Sequence, residues 1–537
     1  MTPSEAPPPE KRYLLDDPKP FGQCGLWELQ RLYYSSKGVD AWRQTEVPHY
    51  VTNNPVIANS YAELVFALLS DQNRLAPGAA SNPEPIHICE LGAGSGRFAF
   101  HFLKRLQRIC EEGRVDPAAF RYVLTDQAES NLQFWLDHPR FQPYFESGLL
   151  DVALFEASVS SELSLRVSGR TIGAGALARP VVVIANYFLD TIPQDLFRVD
   201  EQGFHQCLIS LVLDKDPRGM SIGQILADVE LQYAYEPVVG RLYDQPWLQQ
   251  ILDSYRGAFK NTHLMIPAEG LLCFHRLKAL SKAGLMLLSA DKGNHRLDEL
   301  DRREAPEPAR HGSFSLGVNY HAIRTHVEQG GGLALFPDAH YNSINVSCCL
   351  ILSEASEHLE VRQAYRRHVA EFGPDDFSTV VTHSKESFPR MTLHQIMVYL
   401  RLAQYDSELF ARMLTRLIEL APEFNQTQGS AFVDAVERVW DLYFSMGEKM
   451  DLANGIGCLL FKLNEHALAL KYFEISIASH GENPGALFNV ALCCDRLKQW
   501  EKARLTLEKV LAADPGNQSA LELMETCAAH EEEWVSG

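Results

Sequence analysis

Glu90-Leu-Gly92-Ala-Gly94-Ser-Gly96 places one carboxylate and three glycines between a short apolar run and a helical run. Glycines let a backbone turn sharply and approach a ligand closely, and the helix start behind them offers free N–H groups. Three ligand classes use such a loop. A triphosphate loop needs G-x-x-x-x-G-K-[ST], and no lysine follows here. A dinucleotide fingerprint can be forced as Gly94-x-Gly96-x-x-Ala99, but the acid expected about 20 residues on is missing. The third class, S-adenosylmethionine, takes an acid at the strand end followed by G-x-G-x-G, which Glu90, Gly92, Gly94 and Gly96 supply. Further polar residues fall at later strand ends. Asp126 is placed to take ribose hydroxyls, Glu156 and Ala157 to reach an adenine, and Asn186 to face the methyl-transfer position. In an open α/β sheet ligands bind outside the carboxyl ends of the strands, so these positions converge.

The elements that must hold these residues are readable as alternation. Apolar runs at 85–89, 121–125, 151–155, 180–185 and 284–289 predict strands, and 332–336 with 344–352 a closing pair. Helical spacing covers 96–112, with Phe98, Phe102, Leu106 and Ile109 on one stripe, and also 130–137, 268–282 and 319–328. The expected fold is therefore α/β, a Rossmann-like, largely parallel sheet with helices on both faces. Residues 197–262 read as a hairpin-bearing cap insertion and 291–313 as a charged, exposed loop.

Beyond residue 357 the strand signals stop. Residues 358–450 read as a helical linker or divergent repeats, and 451–537 as tetratricopeptide repeats. Gly457 matches Ala491, and Ala469 with Phe473 matches Ala503 with Leu507, at one offset of 34 residues. Such arrays offer a groove to peptides, so a protein or peptide partner is expected there. The catalytic unit is expected over 23–357, and the Pro-rich, charged residues 1–22 as a disordered lead-in.

The 537 residues carry 49 basic and 69 acidic side chains, a net charge of −20, which argues against nucleic acid as partner. No apolar run has membrane-spanning length and no secretory signal opens the chain. The eleven scattered cysteines, without C-x-x-C, fit reduced thiols in a cytoplasmic protein. The histidines lack metal-ligand spacing, so no catalytic metal is expected; His321 reads as a structural, hydrogen-bonded residue.

Residues Asn186-Tyr-Phe-Leu-Asp-Thr-Ile-Pro193 resemble the N-E-F-F-D-A-L-P segment of the MidA-like methyltransferases. Tyr50-Val-Thr-Asn-Asn-Pro-Val-Ile57 resembles that family's F-x-T-S-P-x-I segment near the cofactor, which adds Thr52 to the cofactor-binding set. Ser289–Gly293 is similar to its I-D-Y-G strand end, and Val318–His321 to its H-V-N-F element. The resemblance covers residues 45–352. It implies a class I methyltransferase fold, S-adenosylmethionine as cofactor and a protein substrate; one relative is a mitochondrial assembly factor that methylates an arginine. Asn186, Tyr187 and Asp190 then face the acceptor as catalytic candidates. The family's glutamate is Tyr187 here, which leaves arginine as acceptor open. It also leaves open a scaffold or assembly chaperone that keeps the cofactor site without catalysis.

Overall fold

The computed structural model describes residues 12–43, 46–75, 84–338 and 343–536. In chain order, β1 (Tyr13–Pro20), α1 (Gly25–Lys37) and α2 (Pro55–Leu75) come first. β2 (Ile86–Glu90), α3 (Arg97–Gly113), β3 (Phe120–Asp126), α4 (Glu129–Asp137), β4 (Leu150–Leu154) and β5 (Val181–Asn186) then alternate. Next are β6 (Asp195–Asp200), β7 (Gly203–Leu213), β8 (Glu230–Pro237) and β9 (Asn261–Ile266). α5 (Ala268–Lys278), β10 (Gly284–Asp291), α6 (Tyr320–Gln329), β11 (Leu333–Leu335) and β12 (Asn345–Leu352) complete the sheet-bearing part.

Seven strands form the central sheet in the order β11-β12-β10-β5-β2-β3-β4. β10, β5, β2, β3 and β4 run parallel, and β12 is antiparallel to both β10 and β11. Every residue of β10 is buried, as a strand covered on both faces requires. On α3 the stripe Phe98, Phe102, Leu106 and Ile109 is buried against the sheet, which is why this helix lies where the glycine loop ends. The chain leaves β2 toward β3 on one side and reaches β5 on the other. The crevice between β2 and β5 is thus the point where strand order reverses, the usual ligand site of an open α/β sheet.

A second, antiparallel sheet carries β6, β7, β8 and β9, as the alternating pattern of 197–262 suggests. It also takes in β1, whose backbone pairs with Leu208–Leu213 of β7. Residues 13–22 therefore depart from the disordered lead-in expected for 1–22. The pairing satisfies the backbone, Phe21 is buried with Trp27 and Tyr33, and Asp16 Oδ2 accepts from the Gly25 N–H at 2.7 Å. Residues 1–11 lie outside the described residues. Within 291–313, read as an exposed loop, His311 and Ser313 fold back as a short hairpin.

The chain divides into two compact units, 1–379 and 380–537. The division falls later than the 357/358 boundary expected from the loss of strand signal, because the helix Leu359–Tyr365 still packs on α2. There Val361 N–H donates to Asp71 Oδ2 at 3.0 Å and Ser60 donates to the His368 carbonyl at 3.1 Å. The second unit is helical throughout its described residues. Its last five helices are α7 (Leu452–Lys462), α8 (His466–His480), α9 (Pro484–Arg496), α10 (Trp500–Ala513) and α11 (Gln518–Ser536). Short loops fold them into successive pairs. Gly457 of α7 sits where a Cβ would lie 2.6 Å from the Phe473 ring of α8, so the glycine permits that close approach. Among the described residues no helix is long and apolar enough to cross a membrane.

Candidate functional site

The carboxyl edge of the parallel strands opens into a cleft of about 140 Å³ in the first unit. Thr52, Glu90, Gly92, Gly94, Asp126, Asn186, Tyr187 and Asp190 all line it. A second cleft of about 390 Å³ adjoins it and holds Glu156 and Ala157; Tyr34, Gln127 and Thr191 line both. Gly96 is brought to neither cleft. It begins α3 with φ +77°, and a Cβ there would meet Trp135 and Phe141 at 3.0 Å, so it serves packing beneath the loop. Gly94 is different: its φ is +55° and a Cβ would lie 2.8 Å from the Trp42 ring. Only a residue without a side chain suits that position.

Glu90, at the end of β2, is 4% exposed and accepts a hydrogen bond from the Tyr122 hydroxyl at 2.8 Å. Burial pushes its pKa up to about 8, and the nearby Asp126 charge adds to the rise. Asp126, at the end of β3, braces the loop: Oδ2 accepts from the Gly94 N–H at 3.1 Å and Oδ1 from the Ala128 N–H at 3.0 Å. Its pKa is raised by burial as well. The Asn131 side chain and the Gln127 N–H also donate to Asp126, so all of the about four acceptor sites of this carboxylate are engaged in holding the loop, and a ligand hydroxyl has to share or displace one of these donors. On α4, Trp135 Nε1 donates to the Gly94 carbonyl at 3.0 Å and fixes the next peptide of the loop.

Asn186 ends β5. Its Oδ1 accepts from the Tyr61 hydroxyl of α2 at 3.0 Å, and its Nδ2 faces the Thr52 carbonyl at 3.5 Å. Tyr187 follows with φ +47°, a left-handed conformation uncommon for a tyrosine, held by its N–H donating to the Ala290 carbonyl at 2.9 Å. Burial raises the pKa of its phenol, which stays neutral. Asp190 is 3% exposed and its Oδ1 has no hydrogen-bond partner. Behind it Asp291, at the end of β10, accepts from the Phe188 and Leu189 N–H groups at 3.2 and 2.9 Å. Glu156 lies 3.7 Å from Arg31 and accepts from Ser158 at 3.3 Å; Arg276 donates to the Ala157 carbonyl.

Sequence reasoning missed several wall residues. Tyr34 and Trp42 stack with centroids 5.9 Å apart and line the cleft from the N-terminal helices. Lys292, His311 and Ser315 enter from beyond β10. Only tertiary folding brings these segments to the strand ends, although Ser289–Gly293 had pointed to the neighbourhood of Lys292. His321 stands outside both clefts, its Nδ1 hydrogen-bonded with the Tyr255 hydroxyl at 2.9 Å.

No protein-family model matches the chain. No curated protein matches it. Two solved structures from Burkholderia thailandensis are similar to part of it. One is an uncharacterized ACR protein, 14% identical with a TM-score of 0.38. The other, of the same superfamily, is a candidate methyl transferase bound to S-adenosyl-homocysteine, 14% identical with a TM-score of 0.39. Each comparison covers 66% of this chain and 84% of the other. A MamA double mutant is similar to 30% of this chain over 96% of its own, at 18% identity and a TM-score of 0.21. These likenesses are too distant to assign chemistry, which rests on the cleft itself.

Proposed function

We propose that the chain binds S-adenosylmethionine across the two adjoining clefts and transfers its methyl group to a nucleophile on a protein side chain. One observation carries the reading. Glu90, the Gly94 peptide tied to Asp126, and Asn186 meet in a single cleft where the strand order reverses. The residues fit such a ligand. Buried Glu90 has no cationic partner among the described residues, a place that a ligand's amino group would fill, Asp126 lines the cleft at the end of β3, and no Cβ intrudes at Gly94. The bound cofactor supplies an activated methyl group. This chain's part is to align the acceptor near Asn186 and Tyr187, to exclude water beneath Tyr34 and Trp42, and to receive a proton. Glu156 and Ala157 in the second cleft are suited to the adenine end.

Membership of the MidA-like methyltransferases is part of this proposal, as is a tetratricopeptide nature for α7 to α11, which would hold a protein or peptide partner. The helix pairs and the Gly457–Phe473 approach support the latter. Eleven unpaired cysteines support a reducing, cytoplasmic setting. Calorimetry tests the site: S-adenosylhomocysteine should bind the wild type, and Gly94→Arg should abolish binding; equal affinity in the variant would remove the assignment. The presence of Tyr187 where the family carries an acid favours, as second reading, a scaffold that binds cofactor without transfer. Labelled methyl appearing in any protein of a cell extract would reject that reading.

A further inference from the structure

Asp190 and Asp291 form a buried carboxyl pair that the cofactor does not require. The two carboxyls lie against each other, Asp291 holding the backbone of the turn that carries Asp190. Both are almost fully buried, and one oxygen of each, Oδ1, has no partner. The two are not equivalent. Asp291 is anchored by the Phe188 and Leu189 N–H groups, which pins the turn after β5. Asp190 lines the cleft beside Asn186, Tyr187 and Thr191. An unpartnered acceptor atom so deeply buried, on a residue that lines the cleft, is costly unless a ligand or a proton meets it.

We infer that this pair holds one proton between two carboxyls and that Asp190 is the base that accepts the proton of the methyl acceptor, with Asp291 its positioning residue. The inference rests on the methyl-transfer reading above. Two adjacent buried carboxyls cannot both ionise cheaply, so the pair retains a proton well above the ordinary carboxylate range. Burial is the main cause for both, and the Asp190 charge adds for Asp291. Lys292 lines the same cleft, and its charge favours ionisation of Asp190, leaving the retained proton with Asp291. The other groups facing the pair are the phenols of Tyr34, Tyr61, Tyr187 and Tyr320, all raised by burial and neutral.

The step balances. The nucleophile's lone pair forms the bond to the methyl carbon. The bond from that carbon to sulfur breaks, its electron pair staying on sulfur, which becomes a neutral thioether. The nucleophile's proton passes to the Asp190 carboxylate and later to solvent.

The test uses the full chain with Asp190→Asn and Asp291→Asn. Infrared spectra between pH 6 and 9 should show a protonated-carboxyl band in the wild type that each substitution removes or shifts. Its absence overturns the shared proton. Transfer of labelled methyl from S-adenosylmethionine to proteins of a cell extract should rise with pH through neutrality in the wild type. It should fall by about 100-fold or more in Asp190→Asn, while calorimetry with S-adenosylhomocysteine stays within about threefold. Wild-type rates in Asp190→Asn, or a wild type that binds S-adenosylhomocysteine and transfers nothing, overturn the role of base. Loss of S-adenosylhomocysteine binding in the wild type overturns instead the cofactor reading on which the inference stands. Asp291→Asn keeps an oxygen for the Phe188 and Leu189 N–H groups. With S-adenosylmethionine saturating at every pH, so that Glu90 does not contribute, its transfer rate should lose the pH dependence while the fold is kept by circular dichroism.

Discussion

Binding of S-adenosylhomocysteine should depend on pH through Glu90. The carboxyl is buried, its pKa is pushed up to about 8, and its single side-chain partner is the Tyr122 hydroxyl. A cationic amino group placed beside it reverses the preference and favours the carboxylate. Affinity below pH 8 is then scaled by the ionised fraction of Glu90, roughly 0.01 at pH 6, 0.09 at pH 7 and 0.5 at pH 8. The ligand's own amino group is that of a free amino acid, held charged by its neighbouring carboxylate, and it stays protonated from pH 6 to 8. Affinity therefore rises about ninefold from pH 6 to 7, or ~1.3 kcal/mol, and about fivefold more to pH 8, then levels off toward pH 9. Calorimetry at these four pH values measures the curve. Repeating the pH 7 titration in two buffers of different ionisation enthalpy should count about 0.9 proton released per ligand. Glu90→Gln, always neutral, should bind more weakly and lose the rising limb. A flat curve from pH 6 to 8, or a wild-type slope in Glu90→Gln, would refute the placement of the amino group at Glu90.

The same burial affects the ligand-free protein with opposite sense. The native state holds a proton on Glu90 that the unfolded chain releases near its ordinary value of 4.5, so stability present at low pH is lost as the pH rises toward 8. That loss is on the order of 3 kcal/mol by pH 7, and thermal melts of Glu90→Gln should decline less steeply between pH 5 and 8 than those of the wild type. Gly94→Ala meets both a left-handed φ and the Trp42 ring. It should cost about 1–3 kcal/mol of stability and at least tenfold in S-adenosylhomocysteine affinity, measured by melts and calorimetry. Gly457→Val drives a branched side chain toward Phe473. It should destabilise the second unit by about 1–3 kcal/mol in denaturant titrations and leave cofactor binding in the first unit intact.

Much of the central sheet was legible because its signal is local. Runs such as Val181–Ala185 and Leu285–Leu288 are apolar over the length of a buried strand, and the Phe98–Ile109 stripe has one helical period. The residues at the strand ends follow directly: Glu90, Asp126 and Asn186 are each last in their strand. What could not be read depends on partners far away in the chain. Nothing in Tyr13–Pro20 reveals that β7 awaits it, and its prolines and charges read as loose chain. Tyr34 and Trp42 look like ordinary aromatic positions of helices until the fold sets them over the glycine loop. Gly96 matched a ligand pattern, yet Trp135 and Phe141 claim its open face. Asp291 stood in a motif, but its pairing with Asp190 spans about a hundred residues, a distance that spacing cannot express.

The capture of β1 by β7 has a consequence for how the protein is made. β1 and α1 leave the ribosome well before their partners: β1 pairs with residues 208–213, and Gln30 of α1 bonds the Phe314 carbonyl 284 residues along the chain. At roughly 5–20 residues per second, about 15–60 s of synthesis separates those groups. During that interval Phe21, Trp27 and Tyr33, all buried at the end, have their local partners but not the distant ones of the same core, such as Leu211 and the Phe314 ring that meets Trp27. The helices from α7 onward pair instead with immediate neighbours and can fold as each hairpin emerges. Slow or interrupted translation will therefore strand the N-terminal aromatic segment in its unpaired state, and that segment is where holding chaperones should engage the nascent chain.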